Sequence, residues 1–292
     1  MNQPSNLRRV FVVGCPRSGT TLLQSLLSAN SRVASFPESH FFEKLFTEKW
    51  PLSSLGIASR RIRPRWNVII DELGRPDVAR FLPPYSIFVR QYTRAFVDVY
   101  DFLTLERSKN IWIEKTPGHL HYVEHINLLV PNAYFIHIIR DGAENIASLM
   151  DVGRRFAETW GPWYGTLDQC TNRWVGDVRR SLKCQDMPNH RVIYYDQLVH
   201  SPRECLVALC DFIGASFEEE MLSGHAESAS QVILSQELWK INVLGSIKKP
   251  AESKFQTILT ASERQYVREH IPQDLLSLAF PQEYAKGESC AF

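Results

Sequence analysis

The chain runs to 292 residues, with 33 basic against 32 acidic side chains and a formal net charge of +1. So balanced a charge argues against a general binder of nucleic acid or other polyanions, and no apolar run approaches the ~20 residues a membrane helix needs. The length allows one large domain or two small ones with a substantial core.

The first predicted element is a buried strand, Val10 to Val13, which breaks at Gly14. An apolar pattern of helical period begins at Thr21, with Leu22, Leu23, Leu26 and Leu27 on the face that packs on a sheet. Between them, GCPRSGTT matches the Walker-type phosphate loop GxxxxGK[ST] except at Thr20, which stands where that motif has lysine. Glycines permit the backbone angles that turn successive N–H groups inward, and the following helix points the positive end of its dipole at an anion seated there. A kinase or ATPase needs the lysine beside its triphosphate, and a hydroxyl plus an acid to hold Mg²⁺. The cation inside this loop is Arg17, set among Ser18, Thr20 and Thr21, which suits an anion of lower charge that carries no metal. The alternative is a strand–turn–helix corner with no ligand.

The chain then crosses from Ser31 to Pro37 into PESHFF, where Glu38 or Ser39 begins a helix with Phe41, Phe42, Leu45 and Phe46 on its apolar face. Residues Pro51–Trp66, with the basic run Arg60–Arg65, read as loop. A long helix fits Ile87–Leu105. A buried strand at Ile111–Thr116, a helix at His119–Val130, an apolar strand at Tyr134–Ile139 and a helix at Gly142–Met150 follow. The pattern fails between Asp151 and Gly165, an aromatic stretch broken by glycine and proline. Helix returns at Thr166–Lys183 and strand at Arg191–Tyr195. Ser201, Pro202 and Glu204 predict a capping box opening a helix that reaches Gly214. Residues Gly224–Ser253 show little order, and Thr260 with Glu263 predicts a second capping box. The opening MNQPSN has no signal-peptide apolar core. Cys15, Cys170, Cys184, Cys205, Cys210 and Cys290 form no CxxC pair and no metal spacing, and read as reduced thiols of a cytoplasmic protein.

Strands alternating with helices predict an α/β fold, a P-loop NTPase-like parallel sheet flanked by helices on both faces. We expect one domain over residues 1–292, with a helical insertion at about 39–108 and a less patterned C-terminal segment at 215–292. In such sheets ligands lie at the carboxyl ends of the strands, which gathers Gly14–Thr21, Glu114–Thr116 and Arg140–Asp141 on one rim.

All three of these stretches and one further block carry a family resemblance. VVGCPRSGTTLL resembles the 5′-phosphosulfate loop of the 3′-phosphoadenosine 5′-phosphosulfate (PAPS)-dependent sulfotransferases, in particular the branch of protein-tyrosine and many bacterial sulfotransferases. RDGAENIAS, Arg140 to Ser148, resembles their 3′-phosphate motif, an arginine at a strand end with a serine eight residues on. WIEKTP and VIYYDQLVHSP resemble two more family blocks in the right order, so the likeness spans about residues 9–214. It implies that Arg17, Ser18, Gly19, Thr20 and Thr21 hold the 5′-phosphosulfate and that Arg140 and Ser148 hold the 3′-phosphate. Tyr195 falls at a position near the nucleotide, and Lys254 on a closing loop. Where the tyrosine-sulfotransferase pattern has an arginine four residues after the serine, this chain has Val152.

The same resemblance implies a general base, for which Glu38 is the choice and His40 the rival, and a lysine, Lys115, that stabilises the departing phosphate oxygen. The alternatives are a helix-start glutamate that only favours the dipole and a strand-end surface lysine. A sulfuryl group bears one negative charge, so in-line transfer to a hydroxyl or amine calls for positioning, donors and a base, with Arg17 contributing charge and no metal. Phe41, Trp160, Trp163 and Tyr164 are candidates to line a small-molecule acceptor pocket, with core packing as the alternative; a glycan or a protein tyrosine are the other acceptors. The expected product is 3′-phosphoadenosine 5′-phosphate (PAP). Two rivals remain: a P-loop kinase of small metabolites and a non-catalytic nucleotide-binding homologue.

Overall fold

The computed structural model describes residues 7–46, 55–224, 227 and 252–280. MNQPSN, Pro51–Ser54, nearly all of Gly224–Ser253 and Cys290 lie outside the described residues. Five strands, β1 (Arg8–Gly14), β2 (Val33–Ser35), β3 (Ile111–Lys115), β4 (Ala133–Ile139) and β5 (His190–Tyr194), form one sheet in the order β2-β3-β1-β4-β5. Every neighbouring pair is parallel. The α/β expectation holds, and the register aligns Val12 with Lys115, Gly14 with Ile138 and Ile139 with Tyr194. The polar strand ends therefore share one rim.

Side-chain alternation on β1 and β4 divides the core. Val10, Val12, Ile136 and Ile138 face α1 (Thr20–Ser28) and join a cluster that runs through Leu22, Leu23, Leu26 and Leu27. Phe11, Val13 and Phe135 face the other way, into a cluster fed by the β2–β3 crossing. That crossing carries α2 (Phe41–Leu45), α3 (Ile62–Leu73) and α4 (Val89–Glu106). A 3-10 turn at Pro117–Tyr122 and α5 (Val123–Leu129) then lead to β4.

After β4, α6 (Gly142–Arg155), α7 (Ala157–Tyr164) and α8 (Leu167–Lys183) build a third cluster with Ile139. Next come α9 (Tyr195–His200), α10 (Pro202–Ile213) and α11 (Glu220–Ser223). Leu198, Leu206 and Leu209 pack on the α1 side of the sheet. The last described helices, α12 (Lys254–Ile258), α13 (Ala261–His270) and α14 (Gln273–Ala279), close over the third cluster through Phe255, Val267 and Leu276.

Several local expectations change. The stretch read as loop up to Trp66 contains the start of α3, where Pro64 is tolerated because the first turn of a helix has no carbonyl partners for its N–H groups. β2 is a three-residue edge strand, too short to show a period. α6 runs five residues past Met150, and α7 forms in the aromatic stretch despite Pro162. The predicted Ser201 capping box is absent: Ser201 also ends α9, giving its N–H to Gln197 O, and its side chain makes no cap bond. The Thr260–Glu263 box is present, as is one at Thr166–Gln169.

Candidate active site

The loop between β1 and α1 is held in shape by its own glycines and by α6. A Cβ on Gly14 would lie 2.6 Å from the carbonyl oxygen of Ile138 on the neighbouring strand, so only glycine allows that approach. Arg17 has φ +71 and Gly19 φ +96, both left-handed; for an arginine this is a strained conformation, of the kind found at ligand clamps. Asn145, one turn into α6, donates to Ser18 Oγ at 2.8 Å and to Pro16 O at 3.3 Å, and accepts from Cys15 Sγ at 3.3 Å. Sequence reading passed over Asn145, although it lies inside the RDGAENIAS block.

At the other end of the loop the proposed 3′-phosphate residues gather. Arg17 Nε lies 3.5 Å from Ser148 Oγ, and Arg140 donates to the carbonyl of Arg17 at 3.3 Å. The Arg140 guanidinium sits 4.6 Å from the Tyr195 ring centroid, a cation–π distance. Burial and then the like charge of Arg140 pull the Arg17 pKa down from its usual value. Two guanidinium groups brought together under partial burial make a site that an anion relieves. Trp174 Nε1 donates to Arg140 O at 3.1 Å, and Asp141 caps α6 by accepting from Glu144 N at 2.9 Å. Glu144 in turn reaches Arg140 at 3.3 Å and Ser253 Oγ at 2.5 Å. Lys254 places its ammonium 2.6 Å from Asp151, one turn beyond Ser148 on α6. Arg154 bonds Ile258 O at 3.1 Å and Glu263 at 2.5 Å.

The end of β3 supplies the second half of the site. Successive strand residues point to opposite faces, so Lys115 and Glu114 part company rather than pair. Lys115, 1% exposed, donates to Thr21 Oγ1 at 3.2 Å and to Glu38 Oε1. Glu38 also faces His40, whose Nε2 is 3.4 Å from Oε2, so the base candidate and its rival occupy one cluster with the lysine. His40 Nδ1 lies 2.9 Å from Glu43. Burial alone lowers an imidazole pKa, but the hydrogen bond to Glu43 and the charges of Glu38 and Glu43 prevail and raise that of His40.

Glu114 turns into the core on the opposite face. It accepts from Ser39 N at 3.1 Å, Ser39 Oγ at 2.7 Å and Thr116 Oγ1 at 2.6 Å, and pairs with His119 Nδ1 at 2.8 Å. Phe42 N donates to His119 Nε2 at 3.2 Å, which leaves the ring proton on Nδ1, facing Glu114. Burial raises a carboxyl pKa, yet His119 and the hydrogen bonds from His119, Thr116 and Ser39 outweigh it and hold Glu114 at about 2. His119 thus helps to fix the segment that carries Glu38.

The acceptor-side aromatics are placed less favourably. Phe41 is fully buried, stacked on Phe96 at 4.4 Å and edge-on to Trp66, which makes it core. Trp160 and Tyr164 stack on each other at 5.7 Å and pack into the third cluster, while Trp163 is 67% exposed. Among the described residues, His137, Cys184 and His190 bring three donor atoms within 4.8 Å of one another. The two rings hydrogen-bond each other at 2.9 Å, and burial takes their pKa values down to about 3 and about 4, as for a neutral core pair.

Among the described residues no helix is long and apolar enough to cross a membrane. The chain matches the model of the sulfotransferase family over residues 9–219. It is 25% identical over 249 residues to a putative protein-tyrosine sulfotransferase of Caenorhabditis briggsae, covering 83% of this chain and 78% of that one. It is 23% identical to protein-tyrosine sulfotransferase 2 of Gallus gallus, with 73% of this chain covered but only 53% of the relative. Its fold is similar to the sulfotransferase domain of the Synechococcus PCC 7002 olefin synthase, with TM-score 0.59, 21% identity and coverage of 97% and 98%. It is also similar to the sulfotransferase domain from the curacin biosynthetic pathway, with TM-score 0.56, 20% identity and coverage of 90% and 96%. With a family match across most of its length, laid over a glycine-bracketed loop at the rim of a parallel sheet, the chain belongs to the sulfotransferase family.

Proposed function

We propose that this protein transfers the sulfuryl group of PAPS to the hydroxyl of a small-molecule acceptor by in-line displacement, with Glu38 as general base. The observation that supports this most is the Lys115 ammonium, set between Thr21 at the end of the phosphate loop and the Glu38 carboxylate. In this reading the acceptor hydroxyl gives its proton to Glu38 as its oxygen bonds to sulfur. The sulfur–oxygen bond to the phosphate breaks on the opposite side, and Lys115 donates to the departing oxygen. Arg17, Ser18, Gly19, Thr20 and Thr21 hold the 5′ end of the donor. Arg140 and Ser148 bind the 3′-phosphate beside the Tyr195 ring, and Lys254, ion-paired to Asp151 one turn further along α6, closes that side of the site. The described cysteines are free thiols, which supports a reducing, cytoplasmic setting.

Calorimetry with PAP against 5′-AMP tests the donor. A marked preference for PAP that Arg140→Ala abolishes is expected; equal affinities, or an unaltered preference in the variant, overturn the reading, and ATP turnover with Mg²⁺ points to the kinase. Glu38→Gln is expected to bind PAP normally and lose turnover, whereas retained activity moves the base to His40. The curated relatives favour a second acceptor, a protein tyrosine. Labelled sulfate transfer from PAPS across phenols, sugars, sterols, amines and tyrosine peptides separates the two.

A further inference from the structure

Of the basic run Arg60–Arg65, read from the sequence as loop, the last member lies inside a helix. Arg65 projects from the first turn of α3, and its side chain is only 14% exposed. Its Nε donates to Ser39 O at 2.5 Å and one terminal nitrogen donates to Glu38 O at 2.9 Å. The same nitrogen is held at 2.8 Å by Glu72, seven residues along the same helix. A guanidinium fork is rigid and multiply donating, so it fixes two successive carbonyls in a way that a lysine does not.

The segment it grips leaves the sheet edge at β2 and turns through His40, which has a left-handed φ of +46. Its N–H side is held by the sheet: Ser39 N is bound by Glu114 and His40 N by Thr116 Oγ1 at 3.2 Å. Its carbonyl side is held by Arg65. The backbone of Glu38 and Ser39 is thus clamped between the end of β3 and a helix of the β2–β3 crossing, while the Glu38 side chain reaches Lys115.

We propose that Arg65 is a positioning residue of the transfer reaction: by fixing the carbonyls of Glu38 and Ser39 it sets the Glu38 carboxylate at the distance and angle needed to take the acceptor's proton. Arg65 acts through Glu38 and touches neither donor nor acceptor, and the proposal rests on Glu38 being the base. Small displacements of a reacting group are costly, because a shift of about 1 Å costs on the order of 100-fold in rate. The ion pair with Glu72 lies within α3 and touches neither carbonyl; both are held by the fork itself.

The test uses the full chain, with turnover read as labelled sulfate passed from PAPS to the most active compound of the acceptor panel. Arg65→Gln is expected to lower kcat about 10- to 100-fold, with PAP affinity by calorimetry and acceptor KM unchanged. Glu72→Gln breaks the same ion pair without freeing the carbonyls, so it matches the loss in unfolding midpoint and keeps kcat. The decisive comparison is the double variant. In the Glu38→Gln background, Arg65→Gln causes no further fall in kcat, because the residue through which it acts is already disabled. Arg65→Lys, which keeps the charge, gives a smaller drop of the same kind and serves if Arg65→Gln does not fold. Unchanged kcat in Arg65→Gln, an equal fall in Glu72→Gln, or a full further loss in the double variant overturns the proposal. Full activity in Glu38→Gln overturns the base assignment itself and this role with it; an inactive Glu38→Gln beside a fully active Arg65→Gln overturns the role of Arg65 alone.

Discussion

The ring of Tyr195 lies against the backbone of Gly19 so closely that a Cβ at Gly19 would come 2.5 Å from Cδ2 and 2.8 Å from Cε2. The contact joins the phosphate loop to the start of α9, two elements far apart in sequence, and Tyr195 also carries the Arg140 guanidinium on its face. Gly19→Ala would bring both this clash and a left-handed backbone that alanine resists, strain of about 1–3 kcal/mol. We expect it to weaken PAP binding by about tenfold or more while the chain stays folded. Adding Tyr195→Ala relieves the clash but not the backbone strain, so affinity recovers only in part. Calorimetry with PAP checks both, and wild-type affinity in Gly19→Ala contradicts the role of the contact.

Lys115 lies between the loop and the base, so its removal separates chemistry from donor binding. Lys115→Met keeps the buried volume and deletes the ammonium. If that ammonium stabilises the departing oxygen, kcat falls about 100- to 1,000-fold, the usual effect of losing one preorganised donor, while PAP affinity changes little. Equal losses in kcat and PAP binding would instead assign Lys115 to holding the donor.

The buried Glu114–His119 pair makes a stability prediction. Glu114→Gln leaves Ser39, Thr116 and His119 facing a neutral amide, and losing hydrogen bonds from buried donors to a charged acceptor costs about 1.5–3 kcal/mol. Because the folded pKa of Glu114 is depressed to about 2 from 4.5, its contribution is fully present above about pH 4.5 and is lost as pH falls toward about 2. Urea denaturation should therefore show a gap between wild type and Glu114→Gln that narrows as pH is lowered through that window. A gap independent of pH assigns the effect to packing instead.

The fold was legible where one physical signal dominates. Val10–Val13 and Tyr134–Ile139 are continuous apolar runs bounded by polar rim residues, and both are buried strands. The loop could be read because glycine spacing reports backbone geometry directly. Glu38, Lys115 and Thr21 were each singled out from separate motifs, and the parallel register brings the three together. Phe41 misled because an apolar residue at helical spacing reads the same whether it lines a pocket or fills the core, and only the stacking on Phe96 decides. Arg65 and Asn145 were missed because each acts on backbone atoms of a distant segment, a relationship that no spacing along the chain encodes.

The His40–Glu43 contact gives the last prediction, one of sign. The His40 pKa is raised above 6.5, so its share of the stability is full below about pH 6.5 and is lost as pH rises through the raised value. Burial raises the Glu43 pKa, but the hydrogen bond and charge of His40 outweigh it and lower the value below 4.5. The share of Glu43 is therefore full above about pH 4.5 and is lost as pH falls through the depressed value. The pair thus stabilises the start of α2 most between about pH 4.5 and pH 6.5. Glu43→Gln removes the attraction, so the unfolding midpoints of wild type and variant should differ most in that interval and converge toward alkaline pH. The same variant separates the two base candidates. If His40 were the base, losing Glu43 would let its imidazole deprotonate at lower pH and shift the rise of kcat with pH to lower values. With Glu38 as base and His40 a charged neighbour 3.4 Å away, the position of that rise does not follow Glu43.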